Sequence, residues 1–208
     1  FNIQEVYGLH NYPAMAIGEF GIRTGPVMAA TDDFRVTIKG KGAHAAMPHL
    51  GVDPVVVAAQ LINAFQSIIS RSKDPFEPLV ISTTIVKAGA ATNVIPETVE
   101  LAGTIRSLSD QSRKLAASRM REIGEYIGKA AEAEVSVRID EGYPVTVNHA
   151  EQTERAARVA EMICGEGKVD RNISATMGGE DFAYMLQEKP GCYVWLGTGG
   201  RPGGCLLH

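Results

Sequence analysis

Histidine supplies most of the chemistry that this sequence could perform. His10 follows the apolar run Val6–Leu9 and precedes Asn11-Tyr12-Pro13, so it reads as a strand end opening into a loop. Strand ends of that kind carry metal ligands and catalytic groups in α/β proteins, although a partly exposed loop histidine has the same surroundings. His208 repeats the pattern after Leu206-Leu207. It fits a second ligand, although taken alone a tag remnant or a frayed chain end explains it as well or better. Two such imidazoles could share one metal. His44 stands differently, in Gly40-Lys41-Gly42-Ala43-His44 between a strand-like run and an apolar helix. A glycine bend can hold that imidazole up toward an oxygen gaining negative charge, or simply make a surface turn. Asn93 ends the small-residue loop Ala88–Thr92 before Val94-Ile95-Pro96. Its amide could donate to a substrate carbonyl, and Asn also occurs in turns for local reasons. Arg106 lies on the strand face opposite Val99, Leu101 and Ile105. A guanidinium there fits a carboxylate clamp or a solvated strand residue. Glu180 and Asp181 open a short helix, where the dipole favours acids without any catalytic role; that capping reading is preferred here. Gly-x-Ser-x-Gly, a phosphate loop and His-Glu-x-x-His are all missing, and no nucleophile or general base stands out.

The elements that must position these residues follow from periodicity. Phe34, Val36 and Ile38 alternate with Arg35, Thr37 and Lys39, the period of a half-buried strand. Asp53-Pro54 caps a helix whose stripe reads Val55, Ala58, Ile62, Phe65 and Ile69. Leu79–Val86 and Val99–Arg106 read as strands. A helix opens at Ser109 or Asp110 with Ala116, Met120, Ile123, Ile127 and Ala130 inward, and a strand follows through Val135, Val137 and Ile139. The order β-α-β-β-α-β predicts a four-stranded antiparallel sheet with both helices on one face, the ferredoxin-like arrangement. The flanks are glycine-punctuated, with one helix near Glu151–Cys164 and a buried strand near Cys192–Gly197. A complete central unit between two flanks predicts an insertion leaving and re-entering its parent near Thr31 and Pro144.

Composition bounds the rest. The chain has 208 residues, 45% hydrophobic and 21% charged, with a formal net charge of -4. That balance and the lack of basic runs argue against a nucleic-acid binder. No apolar stretch approaches the roughly 20 residues of a membrane span. Cys164, Cys192 and Cys205 are odd in number and scattered, which suits reduced thiols and a cytoplasmic protein. The sequence opens on Phe1 inside a strand-like run and stops at His208 directly after an apolar one, which predicts an internal piece of a longer protein.

Several strings, in order over nearly the whole chain, resemble the aminoacylase and carboxypeptidase family of metal-dependent amidohydrolases. The resemblance is nearest to the hippurate hydrolase and auxin-conjugate hydrolase branch. The strings are Gly8-Leu9-His10-Asn11, Thr24–Ala30, Gly40–Pro48, Asn93–Pro96, Gly103–Arg106, Gly178–Phe182 and Leu207-His208. The resemblance implies an α/β enzyme with a two-metal, aminopeptidase-like catalytic domain, here residues 1–30 and 145–208. A ferredoxin-like lid and dimerisation domain, residues 31–144, is inserted in it. His10 and His208 then stand at metal-ligand positions, with zinc, manganese, cobalt or nickel as candidate ions. His44 matches the lid histidine that stabilises the oxyanion, often in the partner subunit's site. Asn93 and Arg106 match residues holding the substrate's amide and free carboxylate. The implied reaction is hydrolysis of an N-acyl amino acid by a homodimer paired through residues 31–144. The family's further ligands and its Glu-Glu base lie outside these strings, so the chain alone should be inactive. The competing expectation is a non-catalytic dimerisation or small-molecule-binding module, because a ferredoxin-like sheet does not fix function.

Overall fold

The computed structural model describes residues 2–199. His208 therefore lies outside the described residues. In chain order the strands are β1 (Val6–Tyr12), β2 (Phe20–Gly21), β3 (Gly25–Met28), β4 (Ala30–Lys39), β5 (Ala43–His44), β6 (Leu79–Lys87), β7 (Val94–Ile95) and β8 (Thr98–Ser107). They continue as β9 (Glu134–Glu141), β10 (Thr146–Asn148), β11 (Val169–Asp170) and β12 (Gly191–Gly197). The α-helices are α1 (Pro54–Ser67), α2 (Asp110–Ala130), α3 (Ala150–Cys164) and α4 (Phe182–Glu188). Ala30–Gly142 forms one compact unit, and the described residues on either side of it form the other.

The central unit is a sheet of order β6-β8-β4-β9, antiparallel throughout. With the chain order β4-α1-β6-β8-α2-β9, this is the ferredoxin-like topology. Period-two alternation drives it: Phe34, Val36 and Ile38 are buried on β4, and Val99, Leu101 and Ile105 on β8. All six enter one core with α1 and α2. Fully burying a side chain of this kind contributes roughly 1.5–3 kcal/mol. Asp53 caps α1 by accepting from Val55 N–H at 2.8 Å, with Pro54 at the first position. The stripe that α1 buries is shifted from the predicted one. Val57, Ala58, Leu61, Phe65 and Ile68 are the buried row, Ile62 and Ile69 flank it, and Val55 is exposed. The reason lies in composition. Pro54–Ser67 contains no charged residue, so little in the helix itself fixes which side turns inward. On α2 the buried row includes Gly124 and Gly128 beside Ala116 and Met120, and Ala130 is exposed.

One polar cluster stands at the margin of this unit. Asp32 is 3% exposed and takes a bidentate grip from Arg113, whose Nε donates at 2.8 Å and whose Nη2 also donates. Gly142 N–H donates to the same carboxylate at 3.1 Å and to Thr31 O at 2.9 Å. The hydrogen bonds of Asp32 hold the Arg113 guanidinium more firmly protonated than usual, against the opposing effect of burial.

In the flanking unit, β1 and β12 run parallel, β12 pairs antiparallel with β2, and β2 runs parallel to β11. Strand β10 pairs with β3. Alternation along β12 sends Cys192 and Val194 toward α3, where Ile22, Ala157 and Ala160 complete a small core. Tyr193 and Trp195 point the other way, into a cluster with Val27, Met28 and Phe182. Among the described residues no helix is long and apolar enough to cross a membrane.

Candidate functional site

His10 sits within β1, opposite Trp195 of β12, rather than at a strand end. The predicted loop at Asn11-Tyr12 is paired strand, because β12 continues alongside to Gly197. The imidazole lies on the face shared by Tyr193 and Trp195, with ring centroids 6.4 and 5.4 Å away. Its Nδ1 is 2.7 Å from the backbone oxygen of Asn11. A carbonyl only accepts, so Nδ1 carries the proton and donates. In the neutral ring the lone pair is then on Nε2, the state of a metal-ligating histidine whose other nitrogen is anchored.

The Gly-Gly-Glu-Asp segment meets this face. Tyr193 hydroxyl donates to Glu180 Oε2 at 2.7 Å, and Phe182 N–H donates to Oε1 at 3.5 Å. Burial alone would raise the Glu180 carboxyl. The hydrogen bonds from Tyr193, Asp181 and Phe182 outweigh it and leave the group below the usual carboxylate range. Asp181 is raised, chiefly by its hydrogen bond with Glu180. Burial and Glu180 push the Tyr193 phenol up. Asp181 occupies the cap position of α4 without a side-chain cap bond. Glu180 therefore does more than cap. Gly8 is required by this packing, because a Cβ there would lie 2.6 Å from Tyr193 Cδ2. Trp195 is 2% exposed, and its Nε1 has no partner among the described residues.

His44 and Asn93 meet in the central unit. After β4, Gly40 permits a close pass of the chain, since a Cβ there would lie 2.1 Å from Val52 O. The turn delivers β5, which pairs with β7 through Ala43↔Ile95 and His44↔Val94. Ala45 N–H donates to Asn93 O at 3.0 Å. His44 and Asn93 are both exposed and line a hollow of about 400 Å³ with Gly42, Val94 and Pro96. Here the imidazole is the opposite tautomer to His10. His44 Nδ1 is 3.1 Å from Ala46 N, which can only donate. Nδ1 is the acceptor, so the neutral ring keeps its proton on Nε2.

Arg106 projects from the β8 face opposite Ile105, half-buried, with Nε donating to Thr104 Oγ1 at 2.9 Å. It pairs across the sheet with Thr31 and Val80. Eight positions of β8 separate it from Thr98, the end nearest Asn93, which is roughly 26 Å of extended chain. Within one copy the central unit joins His44 to Asn93 and leaves Arg106 at the far end of the sheet. Among the described residues no group of three or more His, Cys, Asp or Glu is gathered to hold a metal. The sequence places Tyr193 and Trp195 in a buried strand without marking them for this face. The hint was their alternation on β12 opposite Gly8 and His10.

Residues 31–132 match the family model described as a peptidase dimerisation domain. The N-acetyl-L-cysteine deacetylase of Bacillus subtilis is 39% identical over 95% of this chain and 47% of its own length. Thermostable carboxypeptidase 2 of Saccharolobus solfataricus is 36% identical over 98% of this chain and 51% of its own. Among solved structures, a Bacillus subtilis dinuclear metal binding peptidase of the M20 family superposes with a TM-score of 0.78 at 30% identity, over 96% of this chain and 49% of that one. The chain spans about half the length of the curated relatives it matches.

Proposed function

The chain belongs to the M20 family of amidohydrolases and peptidases and carries their dimerisation domain, and from that premise we propose that it is the lid and part of the catalytic domain of a metal-dependent N-acyl amino acid hydrolase. The observation that carries this reading is the pair of opposite imidazole tautomers. His10 presents a lone pair, which a cation needs. His44 presents an N–H, which a developing oxyanion needs. His10 and His208 would hold the divalent metal with ligands from outside these residues. When bound, the metal supplies activation of the attacking water and polarisation of the amide carbonyl. His44 Nε2–H donates to the carbonyl oxygen as it gains charge. Asn93, from the same hollow, orients the amide. Arg106 pairs with the substrate's free carboxylate through its planar fork.

The same reading makes the enzyme a homodimer through the Ala30–Gly142 unit, and two features favour one face of it. The β9 edge carries Glu134, Arg138 and Asp140, with ion pairs Lys39–Glu134 and Arg138–Asp140, a pattern that discourages pairing. The β6 edge, closed by Lys87 in an ion pair with Glu100, carries Ile85 and Val86, 48% and 58% exposed. Helix α1, which packs over β6, β8 and β4, exposes Val55 and Val56 and no charged side chain. Charge depletion marks the centre of interfaces, so a second copy would add its β6 edge and α1 face here. In such a dimer His44 and Asn93 could serve the partner's site. The scattered thiols support a cytoplasmic enzyme.

The test uses the longer enzyme of which this chain is read as part. Zinc, manganese, cobalt and nickel are each supplied with N-acetyl amino acids. His44→Ala and His10→Ala subunits should be inactive alone and regain part of the activity when mixed. Mixed dimers without recovery would remove the shared-site arrangement. Wild-type enzyme without any metal-dependent hydrolysis would remove the reading itself. The family match on the dimerisation domain favours one narrower reading, in which the chain acts only as a pairing module. Purified alone, it would then dimerise without binding metal.

A further inference from the structure

We propose that Glu180, held in place by Tyr193, is a positioning residue for the metal site read at His10: a fixed carboxylate that strengthens binding of a cation at His10 Nε2 without itself being a ligand. This rests on the reading of His10 as a ligand.

Three observations lead there. First, Glu180 is committed on both oxygens. Oε2 accepts from the Tyr193 hydroxyl at 2.7 Å, and Oε1 faces Phe182 N–H at 3.5 Å. A carboxylate held this way stays where it is rather than swinging in to coordinate. Second, the place is set by packing. Tyr193 is 4% exposed and wedged between Phe182, 5.3 Å away by ring centroids, and Gly8, whose missing Cβ leaves room for the ring. The glycine two residues before His10 and the Gly-Gly-Glu-Asp segment are therefore parts of one device, joined through a tyrosine from a third stretch of chain. Third, His10 shares that ring, at 6.4 Å, and its own orientation is fixed by Asn11 O. A carboxylate fixed on the tyrosine that His10 packs against attracts a divalent cation more strongly than the same group in bulk water. Anchored neighbours of metal ligands commonly change metal affinity by about 10–100-fold.

The competing role is purely structural: Glu180 ends the turn before α4 and satisfies a buried phenol. The two are separated in the longer enzyme by titrating the metal-free protein with Co²⁺ against a competing chelator and recording the visible absorption of bound cobalt. Glu180→Gln keeps the shape and removes the charge. It should weaken Co²⁺ about tenfold or more, lower kcat with little change in KM, and leave the melting temperature of the metal-free protein unchanged. Tyr193→Phe should produce the same loss of affinity in weaker form, because the carboxylate stays but is no longer held. Wild-type Co²⁺ affinity in both variants overturns the inference, whether or not either melts earlier. A cobalt spectrum altered in the way a lost ligand alters it overturns the non-ligand role. His10→Ala separates this inference from the reading beneath it. If His10→Ala abolishes cobalt binding and Glu180→Gln does not change it, only the positioning role fails. If His10→Ala binds cobalt normally, the metal reading of His10 fails.

Discussion

Replacing Arg113 by Ala should destabilise the Ala30–Gly142 unit far more than loss of an ordinary surface arginine. The magnitude follows from what is left behind. Asp32 is 3% exposed, and the Arg113 side chain only 13%. Removing the guanidinium strands a buried carboxylate with Gly142 N–H as its remaining donor at 3.1 Å. Breaking a buried pair on one side costs roughly 3–5 kcal/mol. The contact to Glu141 at 3.9 Å, whose side chain is 79% exposed, adds little. Arg113→Lys keeps the charge and loses the fork, so it should fall between wild type and Ala. Urea unfolding followed by far-UV circular dichroism is the assay. The one tryptophan, Trp195, lies in the flanking unit, so its fluorescence follows that unit alone while the dichroism follows both. The dichroism midpoint should fall sharply, with a melting temperature lower by roughly 10 °C or more. The drop should persist in high salt, since a buried pair is weakly screened. The double variant Asp32→Asn/Arg113→Met should recover much of the loss. A cost for Arg113→Ala below about 1 kcal/mol would refute the reasoning, because Asp32 would then have no need of its partner.

Further expectations concern single residues. Gly8→Ala should lower stability by roughly 1–3 kcal/mol through overpacking against Tyr193, read as an earlier Trp195 fluorescence transition; an unshifted transition would mean that the ring moves freely. In the longer enzyme, His44→Ala should cost roughly 10²–10³ in kcat with stability nearly unchanged, and near-normal turnover would end its oxyanion role. Arg106→Ala should erase the preference for an N-acyl amino acid over its carboxamide, measured as a ratio of kcat/KM values; an unchanged ratio would pass the carboxylate to another residue. Burial pushes the Cys192 thiol up to about 11, so the folded protein keeps a proton that the unfolded chain releases. Stability from this group is complete below about pH 9 and is lost as pH rises through 11. Cys192→Ala should flatten that part of the pH–stability curve, and an unaltered slope would assign it elsewhere.

The sheet of the central unit was legible because alternation is a local property: Phe34, Val36 and Ile38 announce their face without knowledge of any neighbour. The rotation of α1 was not, since a helix apolar on most sides leaves its neighbours to choose the buried row. Strands β2 and β11, each of two residues, are too short to carry a period. His44 and Asn93 were each visible from the turns around them, and only the β5–β7 pairing joins them. The surroundings of His10 are not legible locally, because its strand length is set by β12, some 180 residues later in the chain. The link from Gly8 through Tyr193 to Glu180 spans the same separation. His149 is exposed and takes Gly191 N–H on its Nδ1 at 3.2 Å, again a contact between distant stretches.

Gly142 and Thr31 are one hydrogen bond apart, and Asp32 faces Glu141 in the ladder. The inserted unit therefore begins and ends at adjacent strand positions, about 5 Å apart in a sheet. Once it has folded, the flanking chain experiences the whole insertion as a tight turn rather than a long flexible loop, and escapes most of the closure entropy that an unstructured segment would impose. The Asp32–Arg113 grip, which also takes in Gly142 N–H, fastens those two ends to each other.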